Sequence, residues 1–65
     1  MFEYELHLPD SKNYLLRKVK RLIYEYDADF EITISTKDLE VYLVKFKSEI
    51  ALENFEKDID NLFLD

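Results

Sequence analysis

Apolar residues in this chain recur at every second position, then at helical spacing, then at every second position twice more, and finally at helical spacing again. That succession of periods fixes the order of elements as strand, helix, strand, strand, helix. In residues 2–8, Phe2, Tyr4, Leu6 and Leu8 alternate with Glu3, Glu5 and His7, the mark of a half-buried strand. Pro9-Asp10-Ser11 supplies a strand stop and an N-cap. Leu15, Leu16, Val19, Leu22, Ile23 and Tyr26 then predict a helix over about 11–26.

Asp27-Ala28-Asp29 interrupts the pattern, and Phe30, Ile32 and Ile34 alternate with Glu31, Thr33 and Ser35 in a second strand with one wet face. The polar stretch Thr36-Lys37-Asp38 suits a hairpin turn. Residues 39–47 form a third strand that is apolar on both faces, with Leu39, Val41 and Leu43 on one and Tyr42, Val44 and Phe46 on the other. Ser48 caps a last helix whose core stripe is Leu52, Phe55, Ile59, Leu62 and Phe63.

Short connections and crossover handedness put the third strand in the middle, antiparallel to both others. The fold expected is α+β: a βαββα chain with a three-stranded antiparallel sheet in the order 1-3-2 and both helices on one face. This is a ferredoxin-like plan without its final strand. The outer edge of the first strand (Phe2, Tyr4, Leu6, Leu8) is then free to pair with another chain, so dimerisation through the sheet is expected. With both helices on one side, Tyr42, Val44 and Phe46 are expected to lie partly bare on the other.

Sixty-five residues make one domain with a small core. There is no cysteine and a single histidine, so neither disulfides nor a thiolate or imidazole metal site is expected to brace it. A partner subunit is the remaining support. No apolar run reaches the roughly 20 residues of a membrane span, and the N-terminus lacks a basic start and an apolar core, so a cytoplasmic protein is expected.

Catalytic groups are hard to find. Glycine is absent, which removes phosphate-cradling loops. His7, Asp10 and Ser11 straddle a strand-to-helix junction and do not make a triad. Asp58-Ile59-Asp60-Asn61 lacks the glycine and terminal glutamate of a calcium loop. No enzyme activity, cofactor, metal or small-molecule ligand is expected.

The formal net charge of −6 is confined to one half of the chain. Residues 1–27 balance five acids with five bases, whereas residues 28–65 set ten acids against four lysines. Glu49, Glu53, Glu56 and Asp60 form a stripe on the last helix, readable as a solvated face, as a docking stripe or as a mimic of nucleic-acid phosphate. Arg17, Lys18, Lys20 and Arg21 make the first helix basic, for pairing with the other helix, for solvation or for contact with RNA. Tyr14, Tyr24, Ile50 and Leu64 sit off the core stripes and are candidates for contact with partner helices.

The chain resembles the small dimerisation subunit of KEOPS, the archaeal and eukaryotic complex that makes threonylcarbamoyladenosine on tRNA. The likeness runs through the alternating strand ending in Leu8-Pro9, the polar cap with Ser11 and the helix ending in Ile23-Tyr24. It continues through Glu31-Ile32-Thr33-Ile34, Val41-Tyr42-Leu43-Val44, Phe46-Lys47-Ser48 and Ala51-Leu52. The resemblance implies a non-catalytic subunit that dimerises through its sheet and packs its helices on those of the catalytic subunit. In that family arginine and further bases follow the Ala-Leu pair, where tRNA contact is suspected. Here Glu53, Glu56, Asp58 and Asp60 follow instead. Weak or no direct tRNA binding is therefore expected. The departure suits an acidic archaeal paralogue, acting as a homodimer or as a heterodimer with the ordinary subunit. The competing expectation is a small acidic inhibitor, of the phage anti-defence type, that imitates nucleic acid.

Overall fold

The structure, a computed structural model, describes residues 2–64. It comprises β1 (Phe2–Pro9), a 3-10 segment (Asp10–Leu15), α1 (Leu16–Glu25), β2 (Asp29–Ser35), β3 (Leu39–Phe46) and α2 (Glu49–Leu62). The sheet order is β1-β3-β2, with β3 antiparallel to both neighbours. No helix among the described residues is long and apolar enough to cross a membrane.

β1 pairs with β3 along its whole length, from Phe2 opposite Phe46 to Pro9 opposite Leu39. Opposed residues of an antiparallel pair share a face. The apolar set of β1 therefore takes Tyr42, Val44 and Phe46 with it under the helices, where they are 1%, 0% and 4% exposed. This reverses the expectation that these three lie partly bare. β3 is apolar on both sides, so only its register with β1 decides which set is covered, and a slip of one residue swaps them. The open face carries Leu39, Val41 and Leu43, crossed by the charged pairs Glu5–His7 (3.0 Å) and Glu31–Lys45 (3.5 Å). Val41 is nonetheless buried there, between His7 and Ile34 on the flanking strands.

The core centres on Phe55 of α2, which is fully buried. The rings of Tyr4, Tyr26 and Phe46 meet it at centroid distances of 5.8, 5.9 and 5.0 Å. Val19 and Ile23 of α1 and Ile59 of α2 complete the layer against Leu6, Leu8, Tyr42 and Val44. Both helices thus lie on one face of the sheet, as expected. The Ser48 hydroxyl accepts from the Ala51 N–H at 3.2 Å and caps α2, also as expected.

The start of the first helix differs from expectation. The α-helix begins at Leu16, and Ser11 does not cap it. Residues 10–15 form 3-10 turns instead, with Lys12 off helical geometry (φ −115°, ψ 16°). Asp10, Ser11 and Asn13 are residues whose side chains compete for local backbone groups and disfavour the α-helix. The Asp10 N–H is also committed elsewhere, donating to the Asp38 carbonyl at 2.9 Å.

Two junctions show how a glycine-free chain turns. After α1, the Ala28 N–H donates to the Ile23 carbonyl (3.1 Å) and the Asp27 N–H to that of Tyr24 (3.0 Å), with Asp27 left-handed at φ 53°. This is a Schellman stop with aspartate in the usual glycine position. Between β2 and β3, the Thr36 hydroxyl accepts from the N–H groups of Asp38 and Leu39 and donates to the Leu39 carbonyl.

β2 departs most from its expected role. All seven of its residues are exposed, including Phe30 (39%), Ile32 (50%) and Ile34 (49%). The buried core draws on β1, β3 and the helices and takes nothing from β2. A bulge at Thr33 also moves Ile34 opposite Val41, onto the open face, while Phe30 and Ile32 stay on the helix side.

Candidate interaction surface

Because Val19 and Ile23 point into the sheet, the far side of α1 is set by helical geometry. Its outward ridge reads Arg17, Arg21, Tyr24, all exposed, and the exposed Tyr14 of the 3-10 segment precedes it. Lys18 and Lys20 lie on the flanks of this ridge. Lys18 and Arg21 share a shallow groove with Leu22, Asp58, Asn61 and Leu62, and Lys20 lies beside Tyr24, Ala28 and Phe30. On α2, Phe55 and Ile59 point inward, so the outward ridge reads Ile50, Glu53, Lys57, Asp60, and the exposed Leu64 follows just past the helix end. Glu49 and Glu56 stand exposed alongside.

The two ridges share one plan with opposite sign. Each is flanked by apolar groups: Tyr14 (69% exposed) just before α1 and Tyr24 (85%) near its end, Ile50 (70%) at the start of α2 and Leu64 (77%) just past it. Between the ends, α1 places arginines, and α2 places Glu53 and Asp60 around a single lysine.

Among the described residues, the ion pairs are Glu5–His7, Glu31–Lys45 and Asp27–Lys47. None involves the charges of the two ridges. The anticipated pairing of basic helix with acidic helix inside the molecule is thus not made, although Lys18 and Arg21 line the groove between the helices beside Asp58. The helices are joined instead by the Tyr26 hydroxyl, which donates to the Asp58 carboxylate at 2.5 Å, and by Lys12 over the Phe63 ring at 6.0 Å. The bond to Asp58, aided by partial burial, holds the Tyr26 hydroxyl pKa above its ordinary value. Burial raises that of Tyr4 too, and the negative charges of Asp60 and Glu56 add to it.

Of the candidate edge residues, Leu6 (3% exposed) and Leu8 (2%) are committed to the core, and Tyr4 is half-buried against Phe55. Only Phe2 keeps substantial exposed side-chain surface. Any chain pairing with β1 therefore gains backbone hydrogen bonds and little apolar burial. His7 is bonded to Glu5 and lies on the open face, away from a role with Asp10 and Ser11. Residues 58–61 stay helical. Among the described residues, no group of three or more His, Asp or Glu side chains is placed to hold a metal ion. A polar cleft of about 250 Å³ lies between Asp10, Asn13 and the 36–38 turn.

Phe30 and Ile32 form the apolar surface that the sequence did not announce. Their alternation matched a core strand, and the signal against it was only that two helices must cover three strands. Comparison of the chain with family models, with curated proteins and with solved structures finds no match.

Proposed function

We propose that this chain is a non-catalytic interaction module that acts by protein–protein contact. The particular reading, drawn from the resemblance above, is an accessory or dimerisation subunit of a KEOPS-like tRNA-modification complex. The observation that carries it is the outer helical surface, where Tyr14, Tyr24, Ile50 and Leu64 stand 69–85% exposed at the ends of two charged ridges. Scattered exposed apolar residues are ordinary, but four of them framing one helical face match what helices of a catalytic subunit pack against. Such a subunit adds no reacting group and works by changing assembly. The β1 edge remains the proposed place for pairing with a copy or a paralogue. The cluster of bases Arg17, Lys18, Lys20 and Arg21 lies on α1 beside an α2 with five acids against one lysine, which supports weak or no direct tRNA binding. Adding the chain to a purified KEOPS-type complex tests the reading: assembly or activity changes, and a complex indifferent to it rules the reading out.

One observation favours the acidic mimic as a second reading. Glu49, Glu53, Glu56 and Asp60 are all exposed, and none has an ion-pair partner among the described residues. Neutralising these four separates the two readings.

A further inference from the structure

We propose that the outer helical surface binds a second copy of this chain, with the basic ridge of α1 on each copy lying over the acidic ridge of α2 on the other. The inference goes beyond the proposed function and rests on that reading only in using the same surface.

The starting point is that complementary charge is present and unused. Arg17, Lys18, Lys20 and Arg21 lie on α1, and Glu49, Glu53, Glu56 and Asp60 on α2. The two sets lie side by side on one face of the sheet, yet none of these groups is ion-paired among the described residues. Within one molecule no pair forms between them, although Lys18 and Arg21 line the groove beside Asp58 of α2. Between two molecules the outward-facing members can meet. A two-fold axis in the plane of the helical face, midway between the ridges, carries each ridge over the opposite ridge of the other copy. Such an interface is isologous, so every basic-on-acidic contact occurs twice.

The apolar ends of the ridges fit the same arrangement. Exposed ion pairs contribute little affinity, and charge mainly sets orientation and excludes wrong partners. Affinity must come from apolar burial, which Tyr14, Tyr24, Ile50 and Leu64 supply at the ends of the charged stretches. The resulting particle is a four-layered one, sheet, helices, helices, sheet. Helices of another protein that dock on the same face must displace the second copy.

Two charge-reversed variants test the proposal on the full chain. One carries Arg17→Glu and Arg21→Glu; the other carries Glu53→Lys and Asp60→Lys. All four positions are exposed, so folding is expected to survive, and circular dichroism checks it. Light scattering and sedimentation then measure mass. The native chain is expected to dimerise, with its dissociation constant rising about tenfold or more as salt screens the contacts. Each variant alone places like charges opposite each other and should lose this contact, with its mass falling to half the native value. An equimolar mixture of the two variants should restore the dimer, because every contact is again between opposite charges.

A monomeric native chain overturns the proposal. So does a native mass retained by either variant, which places the interface elsewhere (the β1 edge included), or a mixture that fails to regain the native mass. Loss of tRNA binding by the arginine variant with no change in mass would assign the basic ridge to nucleic acid and equally overturn it. Should reversal unfold the chain, Arg17→Gln with Arg21→Gln gives the same answer through a flattened salt dependence. These outcomes are independent of binding to a KEOPS-type subunit, so either idea can fail alone.

Discussion

The Tyr26 hydroxyl, at the C-terminal end of α1, donates to the Asp58 carboxylate of α2 at 2.5 Å across 32 residues of sequence. It is a charge-assisted bond between the two helices, and Tyr26 also stacks edge-on against Phe55 at 5.9 Å. Tyr26→Phe keeps the ring and removes the bond, at an expected cost of about 1 kcal/mol. Asp58→Asn should cost a similar amount. The double variant should be little worse than either, because both remove one interaction. Urea unfolding of the three variants measures this.

Phe55→Ala is the severe core substitution. It removes a fully buried ring that touches Tyr4, Tyr26 and Phe46, and it should cost about 3–5 kcal/mol. A loss of that size consumes much of the stability of a small domain. Far-ultraviolet circular dichroism should show a largely unfolded variant at 37 °C.

Asp27 sits at φ 53°, where a Cβ is disfavoured. Asp27→Gly should raise stability by about 0.5–1 kcal/mol. The substitution also removes the 2.8 Å contact with Lys47, whose pull keeps the Asp27 carboxyl below its ordinary pKa. Both partners are open to solvent, so that loss is small. Thermal unfolding at neutral pH reads the difference.

High pH should unfold the domain through its tyrosines. Burial, and then the hydrogen bond to Glu40, push the Tyr42 hydroxyl from 10.0 up to about 12. In that interval the unfolded chain releases the proton and the folded one retains it, so stability falls as pH rises. It is fully present below pH 10 and declines towards pH 12, by about 1.4 kcal/mol per pH unit at most. Tyr4 and Tyr26, also raised, act in the same direction. Tyr42→Phe should flatten the decline in alkaline denaturation curves.

The strand order was legible because residues 39–47 are apolar on both sides and so belong in the middle. Which side faces the helices was not, since Val41 and Tyr42 give equal reasons for either register. The α2 cap at Ser48 was readable from the residue and the apolar stripe that follows. The late start of α1 was not, because Asp10, Ser11 and Asn13 suit a helix cap and a 3-10 turn equally well. Tyr14, Tyr24, Ile50 and Leu64 could be singled out because each breaks a helical core stripe. The exposure of Phe30 and Ile32 stayed hidden, since an alternating strand looks the same whether or not a helix reaches it. The bulge at Thr33 leaves no mark in a perfectly alternating segment.

The most direct test of protein–protein contact through the helical face compares two variants against one purified KEOPS-type catalytic subunit by isothermal titration. Ile50→Glu places a charge at the apolar end of the α2 ridge, at a residue 70% exposed and therefore dispensable for folding. The second variant neutralises Glu49, Glu53, Glu56 and Asp60 as glutamine or asparagine. Contact through the apolar face predicts that the native chain binds, that Ile50→Glu abolishes binding with its melting temperature intact, and that the neutralised variant still binds. Binding that survives Ile50→Glu and disappears with the four carboxylates would contradict it and leave the acidic mimic standing.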